Sequence, residues 1–353
     1  MSEIRIRLGR HRHHALALAA LFHLLLLGGV RARADEPLSL VLPTRNQALF
    51  TGPESDFYMY VARNYGGKTT YPWQGGKYGF VRNPKQTSAG LVYTRFHEGV
   101  DIRPVRRDAN GEPLDTVHAI GSGKVVHLSN TSSHSNYGRY VVVEHDWGSG
   151  PFYSLYAHLM SISARPGQKV GPGTPLGRLG YTGAGIDRTR AHVHLELNLL
   201  LHSDFGKWHD RHYRDPNYHG AYNGLNMVGI DIAGLFKKHK ANPKIELPDF
   251  IGGMQPYYKV TAPGKLPEIA KRYPWLLRGG KSGSAWEITF SASGVPLAVE
   301  AAEPKPAAPY VNWVKPSSTS HSYLTNGRLS GSGAKATLSS SGSRYIQLIM
   351  GTF

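Results

Sequence analysis

The stretch His192-Val-His194-Leu-Glu196-Leu-Asn-Leu-Leu200 decides how this chain folds. Polar and apolar side chains alternate along it with the two-residue period of a β-strand. Val193, Leu195, Leu197 and Leu199 therefore share the face that packs on a core, and His192 and His194 stand side by side on the other. Glu196 shares the face of His194, either as a partner orienting that ring or as an ordinary exposed strand carboxylate.

Working outward, short β-rich runs separated by Gly and Pro precede this strand: Lys124 to Leu128, Tyr140 to His145, Phe152 to Leu159 and Leu176 to Leu179. Their spacing predicts a mainly β, antiparallel domain over residues 91–201. Further upstream, His97-Glu-Gly-Val-Asp101 places an imidazole and a carboxylate on one side of an extended segment, with Gly99 between them leaving room for a close approach. Two histidines and one carboxylate make an open metal site. These donors suit zinc, and three protein ligands leave a fourth position for water. Hydrolysis then needs a proton shuttle, which His158 and the spare member of the His192/His194 pair can supply. There is no H-E-x-x-H helix to provide a glutamate base.

The remaining chain bounds these readings. Its 353 residues are 40% hydrophobic and 18% charged, with 41 Gly, 23 Pro and no Cys. Disulfides, iron-sulfur clusters, thiolate zinc sites and cysteine nucleophiles are thereby excluded. Residues 1–34 read as a signal peptide: Arg5, Arg7, Arg10 and Arg12 precede an apolar run from Ala15 to Gly29, and Ala32-Arg-Ala34 is a small-x-small cleavage site. The alternative is an uncleaved anchor, but the run is short for a bilayer, and no later segment resembles a membrane span. Removing residues 1–34 takes the 41 basic and 24 acidic side chains to 35 and 23, a net charge of +12. An exported protein this basic is expected to meet a polyanion such as the cell wall, in the periplasm or outside the cell. Nucleic acid is not expected as a partner, because the chain has neither a long Lys/Arg run nor zinc-finger spacing.

Five ordered blocks then become recognisable: F-H-E-G-V-D-I (96–102), N-Y-G-R-Y-V-V-V-E-H-D (136–146), Y-S-L-Y-A-H-L (153–159), V-G-P-G-T-P-L-G-R-L-G-Y-T-G (170–183) and H-V-H-L-E-L (192–197). Together they resemble the LytM/lysostaphin-type zinc endopeptidases of peptidoglycan. The resemblance implies one Zn2+ per chain, held by His97, Asp101 and His194, with His158 and His192 as the catalytic histidines. It implies a lysostaphin-like fold with a duplicated hybrid motif and zinc at the floor of a groove, and peptidoglycan stem or bridge peptides as substrates. The approach to the H-x-H pair departs from the family's short Gly/Ser/Thr run. Here it reads Gly183-Ala-Gly-Ile-Asp187-Arg188-Thr-Arg190-Ala191, in which Arg188 and Arg190 are either clamps for stem-peptide carboxylates or plain surface arginines. Tyr137 is either an oxyanion donor through its hydroxyl or packing at the groove rim.

The expected organisation is a signal peptide (1–34), an irregular lead-in that packs on the next domain (35–90), the peptidase domain (91–201), a His- and aromatic-rich extension (202–245), and an α+β or β-rich C-terminal region (246–353). The extension is expected to end in a short helix around Leu235 to Lys240, and His209-x-x-His212 is read as an aromatic surface loop rather than a second metal site. In the C-terminal region a helical piece is expected near Leu266 to Arg272, with strands near Trp286 to Phe290 and Tyr345 to Met350. That region either binds wall, covers the groove or completes the core. His118, His127, His134, His145, His202, His219, His239 and His321 are read as solvent-facing or singly hydrogen-bonded imidazoles. The leading expectation is a secreted zinc endopeptidase. The alternatives are a catalytically silent wall-binding or hydrolase-activating module, which normally has broken motifs, and a non-haem iron oxygenase, whose first ligand pair is more closely spaced.

Overall fold

Alternation around His194 produces the strand it calls for, and neighbouring runs build a sheet on it. In a computed structural model, which describes residues 38–353, the elements that position the site are β1 (Gly79–Thr87), β2 (Gly90–His97), β3 (Val100–Ile102), β4 (Gly123–Ser129), β5 (Tyr140–Asp146), β6 (Pro151–Ala157) and β7 (Val193–Leu200). The leader read at residues 1–34 lies outside the described residues. Among those described, no helix is long and apolar enough to cross a membrane.

The main sheet is antiparallel in the order Lys169–Val170, β4, β5, β6, β7. On the far edge of β7 two short strands pair end to end: β3 against residues 193–195 and Met227–Gly229 against residues 198–200. Every residue of β7 is buried, so the polar face of the strand is covered as well as the apolar one. Register decides what lies there. His194 pairs directly with Asp101 of β3 on one side and with Ala157 of β6 on the other. β1 and β2 form a hairpin that ends on the Gly79–His97 pair. Gly99 joins β2 to β3 where a Cβ would stand 2.4 Å from the Leu195 carbonyl oxygen. The room predicted there is filled by the backbone of β7, and no side chain fits.

Beyond β7 the chain forms α1 (Phe205–His212) and α2 (Ile232–Ala241). α2 matches the expected helix, and the Asp231 side chain caps it by accepting from the Gly234 amide at 2.9 Å. α1 corrects the surface-loop reading of His209-x-x-His212. Phe205, Trp208 and His209 fall on one helical face and are buried, so the aromatic spacing encodes a packed helix.

The C-terminal region carries a second sheet in the order Leu277–Arg278, Pro296–Ala301, Ala285–Ser291, Pro256–Pro263, Tyr310–Val314. The expected strand near Trp286 and a short helix at Glu268–Arg272 are present. The strand expected at Tyr345 to Met350 is instead the end of a helix, α3 (Ser340–Met350). The Ser339 hydroxyl accepts from the Gly342 amide at 3.0 Å to start it, and Gly351 ends it with φ 65°. Tyr345, Ile346, Ile349 and Met350 bury one stripe at helical spacing, a pattern too short to separate from a strand by period alone. One apolar cluster runs from Phe57 through β5, β6 and β7 to Ile349. Tyr273 fastens the two sheets: its hydroxyl donates to Pro151 O at 2.7 Å and accepts from the Leu200 amide at 3.0 Å. The C-terminal region therefore completes the core.

Candidate metal centre

Three ligand-type atoms from three strands meet over β7. His97 Nε2 lies 3.0 Å from His194 Nδ1 and 3.1 Å from Asp101 Oδ1, and His194 Nδ1 lies 2.9 Å from Asp101 Oδ1. All three residues are buried. The other ring nitrogens are committed elsewhere. His97 Nδ1 donates to Lys77 O at 2.8 Å, and His194 Nε2 donates to Glu196 Oε1 at 2.8 Å. Those bonds turn the lone pairs of both rings, with a carboxylate oxygen, toward one point. A cluster of this kind needs positive charge between its members. A proton on His194 answers one or two of the three contacts, whereas a metal ion answers all three. For zinc bonds of about 2.0–2.1 Å, tetrahedral ligands stand roughly 3.3 Å apart, close to the spacings here. The residues fit such an ion.

The electrostatics agree. Burial disfavours a charged His194, but hydrogen bonds to Asp101 and Glu196 outweigh it and push its pKa up to about 10. Burial also opposes the Asp101 carboxylate, yet the charges of His97, His192 and Arg82 hold its pKa well below the usual range. Arg82 Nη2 sits 2.6 Å from Asp101 Oδ2, leaving Oδ1 for the cluster. A second grouping, Glu98, His194 and Glu196, shares His194. Glu196 is already taken: Oε1 accepts from His194 and, at 2.7 Å, from the Tyr137 hydroxyl, while Oε2 accepts from Asn198 Nδ2 at 2.9 Å. It is fully interior, not the exposed carboxylate of its simpler reading.

His158 and His192 stand beside the trio with ring centroids 4.8 Å apart, and His158 lies 5.8 Å from His194. Each is held through Nδ1: His158 donates to Thr182 O at 2.9 Å and His192 to Arg190 O at 2.6 Å. His158, donating through Nδ1, presents an unprotonated Nε2, and His192 Nε2 is 3.4 Å from Asp101 Oδ1. Burial pulls the His158 pKa well below the usual histidine value, helped by the charges of His192 and His194. Its backbone is left-handed, φ 62°, a conformation that costs a side-chain-bearing residue about 1 kcal/mol or more and that concentrates at functional sites.

The trio opens into a cavity of about 1160 Å³. Arg190 lines it, with Nη1 donating to Gly185 O at 3.0 Å and Nε buried without a partner. Arg188 is not part of the lining; it is exposed, with Nη1 3.6 Å from Glu112. Tyr137 lines the cavity, but its proton is spent on Glu196. Arg82, Lys77 and Thr182 gave no signal in sequence, because their roles depend on packing or on a carbonyl that any residue type provides. Three histidines read as simple imidazoles are more constrained than that. His145 is bonded to Ser122 O and Ser154 Oγ, His321 to Tyr257 and Gly333 O, and His202 accepts from the Asp204 amide at 3.0 Å with its Nε2 3.3 Å from Glu268. A buried ring must satisfy both nitrogens or pay for desolvation.

A buried His/Asp centre that opens into a cavity is the kind of site that metallopeptidases use. Residues 95–204 match the model of Peptidase family M23, and the resemblance to LytM/lysostaphin-type peptidases is borne out over that segment. Among solved structures, a Pseudomonas aeruginosa protein described as a candidate M23 peptidase is 28% identical, with the match covering 29% of this chain and 37% of that one at a TM-score of 0.23. The catalytic domain of lysostaphin from Staphylococcus simulans is 25% identical over 35% of this chain and 82% of that one, TM-score 0.25. A zinc-containing peptidase from Vibrio cholerae is 24% identical over 39% and 43%, TM-score 0.23. The match thus spans less than half of the Pseudomonas and Vibrio proteins. Comparison with curated proteins returned no match.

Proposed function

We propose that this chain is an exported zinc endopeptidase that hydrolyses peptide bonds in peptidoglycan cross-links or bridges. The observation that carries the reading is the convergence of His97 Nε2, Asp101 Oδ1 and His194 Nδ1 beside two further imidazoles whose tautomers are set by carbonyl oxygens. In this reading His97, Asp101 and His194 hold the ion, and the peptidase unit is residues 91–201, with 202–245 and 246–353 built onto it. Zinc in such a site supplies a bound water whose pKa falls from about 16 toward about 7 and polarises the scissile carbonyl.

The chain's own residues supply the proton handling. A neutral His158, kept so by burial, accepts a proton at Nε2, and the imidazolium then formed is steadied by the Thr182 carbonyl on Nδ1. That same proton then passes from His158 to the leaving amine, and His192, held by the Arg190 carbonyl with its ring centroid 4.8 Å from that of His158, is placed to orient the reacting groups. Tyr137 orients Glu196, which orients His194; its hydroxyl is not free for an oxyanion. Arg190, at the cavity wall, is the better placed of the two candidate arginines to meet substrate.

The test combines metal analysis with digestion of purified cell walls of several cross-link types, the new termini being identified by mass spectrometry. One zinc per chain, chelator-sensitive cleavage, and a His158→Ala variant that keeps zinc but loses turnover are expected. A zinc-loaded chain that cleaves no wall but stimulates another hydrolase would overturn the reading in favour of an activating module.

A further inference from the structure

The cavity over the metal centre reaches well past the segment that matches the peptidase family. Its wall includes Ser293, Arg328, Arg344 and Tyr345 from the C-terminal region, and Tyr213 from just beyond α1. Arg328 is built into place. Its Cζ lies 4.3 Å from the centroid of the Tyr345 ring, and it passes so close to Gly294 that a Cβ there would come within 2.8 Å of that same atom. Nη1 donates to Ser293 O at 2.8 Å, while Nε and Nη2 meet no acceptor among the described residues. Arg344 Cζ lies 5.9 Å from the Tyr213 ring, and its guanidinium forms no ion pair among them. Four carboxylates line the same cavity. Asp101 is engaged by Arg82 and the histidines, Glu196 by His194, Tyr137 and Asn198, and neither Glu98 nor Asp215 makes an ion pair with Arg328 or Arg344.

Two half-buried guanidiniums that share a cavity with a hydrolytic centre, and that the chain leaves without counter-charge, await an anion. Their planar forks match a carboxylate in two parallel hydrogen bonds, and the contacts with Tyr345, Gly294 and Ser293 O order Arg328 before any ligand arrives, so little rotamer entropy is lost on binding. We propose that Arg328 and Arg344 form a carboxylate subsite for the peptide substrate, which makes the region after residue 246 part of substrate recognition. The peptide class rests on the function proposed above; the anion site itself does not.

Binding is measured by calorimetry on the full chain with three peptides. The first is L-Ala-γ-D-Glu-L-Lys-D-Ala, the second its C-terminal amide, and the third the form with the glutamate carboxylate amidated. The intact protein is expected to bind the first about ten- to a hundredfold more tightly than one of the two amides, the scale of charge-assisted hydrogen bonds, and which amide suffers identifies the carboxylate. Arg328→Ala and Arg344→Ala remove the preference without weakening the disfavoured amide, Arg344→Lys keeps part of it, and Gly294→Ala, which pushes on Arg328, reduces it. Equal binding of all three peptides, no binding, or equal losses for all three in the arginine variants overturns the proposal. So does poly(glycerol phosphate) binding at these arginines in place of the peptides. Wall cleavage is assayed separately, so a chain that discriminates the peptides but cuts nothing would sink the proposed activity and leave this subsite standing.

Discussion

Replacing Glu196 with Gln removes one negative charge and changes almost no volume, at a position 1% exposed and 2.8 Å from His194 Nε2. The new carbonyl oxygen still accepts from His194 and from the Tyr137 hydroxyl. Its amide would face Asn198 Nδ2, a clash of donors, but Asn198 can turn over, because its Oδ1 is buried without a partner. The cost in folding is therefore expected to be about 1 kcal/mol, a charge-assisted hydrogen bond exchanged for a neutral one. The cost to the metal is larger, since a carboxylate behind a ligand histidine is worth about 10- to 100-fold in affinity, or roughly 1.4–2.8 kcal/mol. Competition with a chromogenic chelator reads the zinc affinity, and melting of the chelated protein reads the fold. Glu196→Ala should do worse on both counts, leaving the His194, Tyr137 and Asn198 donors without an acceptor in the interior. Zinc affinity unchanged in Glu196→Gln, with the fold intact, would refute the claim that Glu196 acts through His194.

His158→Asn should retain zinc and be about 1 kcal/mol more stable than His158→Ala, because Asn tolerates the φ of 62° better; equal melting temperatures would count against strain at this residue. Gly138→Ala should cost about 2 kcal/mol and more turnover than zinc, because at φ 63° its Cβ would stand 2.4 Å from the Thr182 carbonyl carbon, beside the oxygen that orients His158. Far from the centre, burial lowers the His145 pKa to about 4, against 6.5 for a free ring. A depressed folded-state value means that the unfolded chain binds more protons between those limits. This stability is complete above pH 6.5 and is lost as pH falls toward 4, by about 2 kcal/mol between pH 7 and 5. Urea melts of His145→Gln should show a shallower slope over that range, and an unaltered slope would assign it to other groups. Finally, His97→Ala and Asp101→Ala should each release the metal on dialysis, read by elemental analysis, while Arg188→Ala, whose side chain faces Glu112 outside the cavity, should leave metal and turnover unchanged.

What the linear text carried was local and periodic. The alternation through His192 to Leu200 set a strand with both imidazoles on one face, because side-chain parity along a strand is independent of what packs on it. Helix α3 stands where a strand is expected for the same reason turned around: a short apolar run has no period until its neighbours impose one. Everything that makes a site from these side chains is non-local. Asp101 is functionally placed because the register of β3 on β7 sets it opposite His194. Arg82 matters because its hairpin delivers it to Asp101, and the tautomers are set by carbonyl oxygens of Lys77, Thr182 and Arg190 that any residue would carry. The C-terminal arginines reach the cavity only because Tyr273 and the shared core bring the second sheet against the first. Composition and spacing chose the donors. Strand register and core packing, which depend on contacts between residues up to hundreds of positions apart, chose where those donors point.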